Sequence, residues 1–208
     1  MPNLEDCKTI EDFGGWLAEG LGRPTSKFVQ DMLKGTYTSR SIRLADVARA
    51  LGEPCDLHST RNRLSRNLAN SQLATVLSGR LLRQSARSIR RNTRLIVHIH
   101  TLTKPDARKM QYLYKEAEDS TSKQPPSAMD SYQVCEIIAN NEDSRKFFPL
   151  LSSFWSRHAP EYISDVDEIS HAIHRVLTMT NGRGIVLVDN PFVALPTLKE
   201  LIAELSDD

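Results

Sequence analysis

Apolar positions recur at helical spacing through the first part of the chain and turn into strand-like runs after Thr93. Phe13, Trp16, Leu17 and Leu21 sit near helical spacing, and Phe28, Met32 and Leu33 repeat the pattern beyond Arg23-Pro24. Residues 1–39 therefore read as two short helices whose apolar sides build core. Leu44, Val47, Ala48 and Leu51 follow the i, i+3, i+4, i+7 pattern of a further helix, which Gly52-Glu53-Pro54 closes. The next helix spans Leu57 to Leu68, with Leu57, Leu64 and Leu68 in one narrow arc and Ser59, Asn62, Arg63 and Arg66 opposite. The two together form a helix–turn–helix pattern. A longer helix is predicted from about Gln72 to Arg91, carrying Arg80, Arg83, Arg87, Arg90 and Arg91 on roughly a third of its circumference.

Leu95, Ile96, Val97 and Ile99 then form a β-branched, apolar run that suits a buried strand. His98 and His100 share one face of it with Ile96, while Leu95, Val97 and Ile99 take the other. Lys104-Pro105 ends the strand, because proline brings no amide hydrogen to a ladder. Residues 116–130, polar and containing Pro125-Pro126, read as a loop. Strands are predicted at about Tyr132 to Ala139 and Phe147 to Trp155, joined as a hairpin through Asn140-Asn141-Glu142-Asp143. Ser164 is an N-cap with Asp167 three residues on, and Ile169, Ala172, Ile173, Val176 and Leu177 trace the helix it starts. Asn181-Gly182 ends that helix, and Ile185 to Val188 reads as a buried strand. A helix between two buried strands implies a crossover, with the later strand parallel to a neighbour and Asp189 at its C-terminal end. A last helix opens at Pro196 and is lined by Leu198, Leu201, Ile202 and Leu205. The fold class is α+β: a helical region over residues 1–92 and an α/β region over 93–208.

Composition changes this picture in one respect. The 208 residues, 39% hydrophobic and 25% charged, are ordinary for a globular protein, and no apolar run approaches the roughly 18 residues that span a bilayer. Cys7, Cys55 and Cys135 form no C-x-x-C pair, and with no signal peptide at MPNLEDCK a reducing cytoplasm fits best. The net charge of +1 hides an asymmetry. From Arg40 to Arg94 there are 12 Arg, no Lys and 3 acidic residues, whereas from Met110 onward 8 basic residues face 16 acidic ones. That segregation has two readings. The arginines grip a polyanion, with nucleic acid the first candidate, or they solvate helix faces and pair with the acidic half. The residue types on the predicted helix from Leu57 suit the first, since Arg binds guanine or phosphate bidentately and Asn reads adenine.

The run KPDARKMQYL, residues 104–113, following the strand VHIHTL, resembles the start of the catalytic domain of insertion-sequence transposases of the DDE superfamily. Lys104, Pro105, Ala107, Arg108, Lys109, Met110, Tyr112 and Leu113 carry the likeness, and LADVARALGEP, RLSRNLAN, VCEIIA, DEI and GRGIVLVD extend it. The resemblance implies a ribonuclease-H-like domain that processes phosphodiesters with two Mg²⁺ ions, about 3.5 to 4 Å apart, held by three carboxylates. It also implies DNA contact by Lys104, Arg108 and Lys109, element terminal repeats as the DNA partner, and a homodimer or a complete transposase as protein partner. His98 stands where the family has its first catalytic aspartate, and Thr101 where a further aspartate follows. Asp189 matches the second carboxylate, followed by Asn190-Pro191-Phe192 instead of Arg-Gly, and the sequence ends at Asp208 before the glutamate segment. The expectation is an incomplete catalytic domain that binds no Mg²⁺.

Two alternatives stand beside it. His98 and His100, with Asp189 and water, form a zinc-type ligand set for a rebuilt hydrolase. A chain that keeps DNA-binding and dimer surfaces also acts as a regulator, competing with a complete transposase for element ends.

Overall fold

A computed structural model describes residues 4–103, 110–113, 131–141 and 147–189, with the backbone alone of residues 4–7 and 189. The chain divides into two compact units between Arg80 and Leu81.

The first unit is helical: α1 (Leu4–Leu17), α2 (Arg23–Ser39), α3 (Leu44–Leu51), α4 (Leu57–Leu68) and the start of α5 (Ser71–Ala86). Leu17, Phe28, Val29, Val47, Ala48, Leu64 and Leu73 are buried in it. Removing a Val, Leu or Phe side chain from water contributes about 1.5–3 kcal/mol each. Pro24 falls in the first turn of α2, where its missing N–H costs nothing. Gly52 stops α3 by adopting φ +59°, a left-handed conformation that a side chain disfavours. The Asp56 carboxylate caps α4 by accepting from the amides of His58 and Ser59.

Two details differ from the sequence pattern. On α4 the buried side is Thr60 and Leu64, while Leu57 and Leu68 are exposed. The helix is rotated from its leucine arc because Thr60 and Arg63 turn inward to Glu53, as described below. α5 ends at Ala86 rather than near Arg91. Beyond it the amides of Arg87, Ser88 and Ile89 reach only three residues back, and the Arg90 amide donates to the Thr93 hydroxyl at 2.9 Å. Ile89 and Thr93 are fully buried, so tertiary packing overrides helix continuation.

The second unit holds the end of α5 and a four-stranded sheet in the order β3-β2-β1-β4, with β1 (Arg94–Thr103), β2 (Ser131–Asn140), β3 (Phe147–Trp155) and β4 (Ile185–Asp189). β1 and β2, and β2 and β3, pair antiparallel; β4 lies parallel to β1. α6 (Asp165–Thr180) joins β3 to β4. Alternation gives the sheet two different faces. Leu95, Val97 and Ile99 pair with Ala139, Ile137 and Cys135 on the inner face. They pack there with Ile169, Ala172, Ile173 and Val176 of α6 and with Leu82 and Ile89. Pro149 is accommodated because β3 is an edge strand, and a bulge between its partners Ile137 and Ile138 sends both Leu150 and Leu151 inward.

Ser164 caps α6, its hydroxyl accepting from the Asp167 amide at 3.0 Å, and Asn181 and Gly182 end the helix with left-handed backbones. Gly184 is required by its φ of +114° and by Leu95, whose Cδ1 lies 2.6 Å from where a Cβ would stand. The loop at 116–130 and the helix predicted from Pro196 lie outside the described residues. Among the described residues no helix is long and apolar enough to cross a membrane.

Candidate functional site

Two groups of sequence-predicted residues can be placed: the strand ends of β1 and β4, and the arginine-rich surface.

At the strand ends, parallel pairing sets His98 directly beside Asp189, and antiparallel pairing sets His98 opposite Glu136. The outer face of the sheet therefore carries a row across three strands, Glu136, His98, Asp189, in register. Glu136 escapes notice in the sequence because its partnership depends on strand register, which the spacing within one segment does not encode. His98 is exposed, and its ring stacks on that of His100 with centroids 5.5 Å apart and an interplanar angle of 28°. The His100 Nδ1 is buried without a hydrogen-bond partner among the described residues. No group of three or more His, Cys, Asp or Glu side chains converges as a metal site among the described residues, a search that does not include the Asp189 side chain. His171 and His174 lie on α6, which packs on the inner face, opposite His98. The Cys135 thiol is pushed up to about 12 by burial and then by the neighbouring Glu136 charge, so it is no nucleophile.

On the helical surface the predicted group separates. Ser59, Asn62 and Arg66 are exposed on α4, although the Ser59 hydroxyl donates to Asp56 at 2.5 Å and Arg66 Nε reaches the Asn62 carbonyl at 3.4 Å. Arg63 departs from the expectation. Its Nη2 lies 2.7 Å from Asp31 of α2 and 3.0 Å from Glu53, and its side chain is only 26% exposed. Lys27 completes the ring, 2.7 Å from both carboxylates, and the Thr60 hydroxyl donates to Glu53 at 2.9 Å. The Lys27 ammonium first, and, against the opposing effect of burial, Arg63 and Thr60, hold the Glu53 carboxyl down to about 2. This network ties α2, the α3–α4 turn and α4 together, so Arg63 is engaged with its own chain rather than turned to a groove.

Arg80 is also engaged internally, its Nη1 donating to the Leu17 carbonyl at 2.7 Å. Arg83, Arg87, Arg90 and Arg91 are exposed, and none is ion-paired among the described residues. Because α5 ends at Ala86, Arg87, Arg90 and Arg91 occupy the turns between α5 and β1 instead of one helix face. Lys104, Arg108 and Lys109 lie outside the described residues.

No model of a known protein family matches this chain, and no curated protein gives a significant match.

Proposed function

We propose that this chain is a DNA-binding protein derived from an insertion-sequence DDE transposase, with an incomplete ribonuclease-H-like part that does not cut DNA. The observation that carries the reading is the register of His98 with Asp189 on adjacent parallel strands of a β3-β2-β1-β4 sheet. In the transposases that KPDARKMQYL resembles, those two positions supply carboxylates to magnesium. An imidazole now stands at the first. Mg²⁺ is hard, prefers oxygen and demands near-octahedral geometry, so a site with His98 between Glu136 and Asp189 does not suit a magnesium pair. No catalytic step follows from it.

DNA binding is supported by the surplus of arginine between Arg40 and Arg94 and by the exposed guanidiniums of Arg83, Arg87, Arg90 and Arg91, none of which is ion-paired among the described residues. α3 and α4, joined by a short turn and offering Ser59, Asn62 and Arg66 to solvent, suit a helix–turn–helix reader. A chain that occupies element terminal repeats without cleaving them competes with a complete transposase, as a homodimer or by joining it, which makes it a regulator of transposition.

The test is fluorescence anisotropy with a labelled duplex across a salt series, run beside incubation of supercoiled plasmid with the purified chain in Mg²⁺ or Mn²⁺. The expected result is affinity that falls steeply with salt and plasmid that stays intact. Absent or salt-insensitive binding overturns the DNA reading; nicking overturns the loss of cleavage.

A further inference from the structure

A cleft of about 400 Å³ opens in the second unit where β2 begins and β3 ends, beside the first turn of α6. It plays no part in the strand-end row or the arginine surface. Its walls are aromatic: Tyr112, Tyr132, Phe154 and Trp155 line it, and the Tyr132 and Phe154 rings meet edge to face with centroids 6.2 Å apart. Two of its remaining lining residues are the carboxylates Glu161 and Glu168. Neither is ion-paired with a Lys or Arg among the described residues.

Arg157, next in the chain to the lining Ser156, is already engaged. Arg157 Nη2 lies 2.5 Å from Asp165, whose carboxylate also accepts from the Trp155 indole at 2.9 Å and the Tyr162 hydroxyl at 3.0 Å. That arrangement fixes the Trp155 ring in the wall and leaves Glu161 and Glu168 without a Lys or Arg partner among the described residues; only His171 acts on Glu168 in the opposite sense. Burial, then the charges of Asp167 and Glu161, raise the Glu168 carboxyl above its ordinary value. A group inserted here with positive charge and apolar surface would relieve that repulsion and meet the negative faces of the rings. An anion would be repelled, and a neutral apolar guest would leave the carboxylates unanswered. Small inorganic cations are strongly hydrated and gain little from aromatic walls, so the complementary shape and charge belong to an organic cation.

We propose that this cleft binds a compact organic monocation, an alkylammonium or guanidinium group, held between Tyr112, Phe154 and Trp155 with Glu168 and Glu161 as counter-charges.

The test uses the full chain and its two tryptophans, Trp16 and Trp155. Their indole N–H resonances in ¹H–¹⁵N spectra are told apart by Trp16→Phe, and Trp16, in the other unit, serves as internal control. Tetramethylammonium chloride and N-acetyl-arginine amide are titrated separately, each against sodium chloride at matched ionic strength. The expected result is a saturable shift of the Trp155 resonance with one or both organic cations and none of Trp16. The midpoint should move at least about fivefold upward in Glu168→Gln and in Phe154→Ala, each such factor being close to 1 kcal/mol of binding. Phe154 is 73% exposed and Glu168→Gln removes a charge that burial disfavours, so both variants keep the fold. A Trp155 response equal to that in sodium chloride, or a midpoint unmoved by both substitutions, overturns the proposal. The two probes also divide ammonium from guanidinium preference.

Discussion

Arg63 shows how much a single side chain's role depends on neighbours distant in sequence. Its position among Ser59, Asn62 and Arg66 marks it for solvent, yet Asp31, 32 residues earlier, and Glu53 hold it against α2. Glu53 is the centre of that network, and its depressed carboxyl makes a pH-dependent contribution to stability. Its ordinary value is 4.5 and its folded value about 2. A carboxyl held down in the folded state stabilises fully above its ordinary value and loses that contribution as pH falls from there toward the folded value. Glu53→Gln should lower stability by about 1–2 kcal/mol at neutral pH, the range of a hydrogen bond to a charged group with part of its desolvation returned. Urea unfolding of both proteins at several pH values checks this: the gap between them should be widest near neutrality, narrow as pH falls below about 4.5 and close only toward about pH 2. A gap constant with pH would mean that Glu53 acts through shape alone.

Among the elements, the crossing of α2 over α3 is set by Gly35. A Cβ there would stand 2.6 Å from Val47 Cγ1 and 3.1 Å from the Val47 carbonyl oxygen, so the helix backbone itself is in the way. Gly35→Ala should destabilise the first unit by about 1–3 kcal/mol despite alanine's better helix propensity, because overpacking outweighs it. Adding Val47→Ala removes the Cγ1 clash but not the carbonyl one, so melting of the double variant should show only partial relief of the strain. The sequence marked the ends of most elements well, because their start and stop signals are local: Ser164 at the start of α6, and Gly52 and Asn181-Gly182 at the ends of α3 and α6, act within one turn. α5 was longer in the pattern than in the fold because what ends it is not local. Ile89 enters the sheet's core, and the Thr93 hydroxyl donates to the Asn141 side chain at 2.5 Å. That same shortening moves Arg87, Arg90 and Arg91 off the helix.

For the whole molecule, charge is segregated along the chain, and Arg87, Arg90 and Arg91 beyond α5 are among the exposed arginines of its basic half. If they contact phosphates, each one neutralised adds about 0.9 to the slope of log affinity against log salt. Replacing Arg87, Arg90 and Arg91 together by Gln should therefore flatten that slope by about two to three, with weakening that is uniform across DNA sequences. Arg63→Gln should instead lower the melting temperature and leave the slope nearly unchanged, since its guanidinium is occupied by Asp31 and Glu53. Anisotropy titrations and thermal melts of the two variants side by side separate the roles. Equal slopes for the triple variant and the parent chain would move the phosphate contacts elsewhere.

Taken alone, the sequence determined the order and type of the described helices and strands and most of their ends, though not that of α5, that a helical part precedes a mixed one, and which face of β1 is apolar, because periodicity and capping are encoded within a few neighbouring residues. A parallel last strand was already implied by the helix between two buried strands; tertiary structure alone decided that its neighbour is β1 and that β2 pairs on the other side of β1, so that Glu136 and Asp189 flank His98. It also decided that Arg63 turns inward, and that aromatic residues from residues 112 to 155 meet Glu161 and Glu168 around one cleft. Register, ion pairing and cavities are made by segments far apart in the chain, and no local pattern specifies which of them will meet.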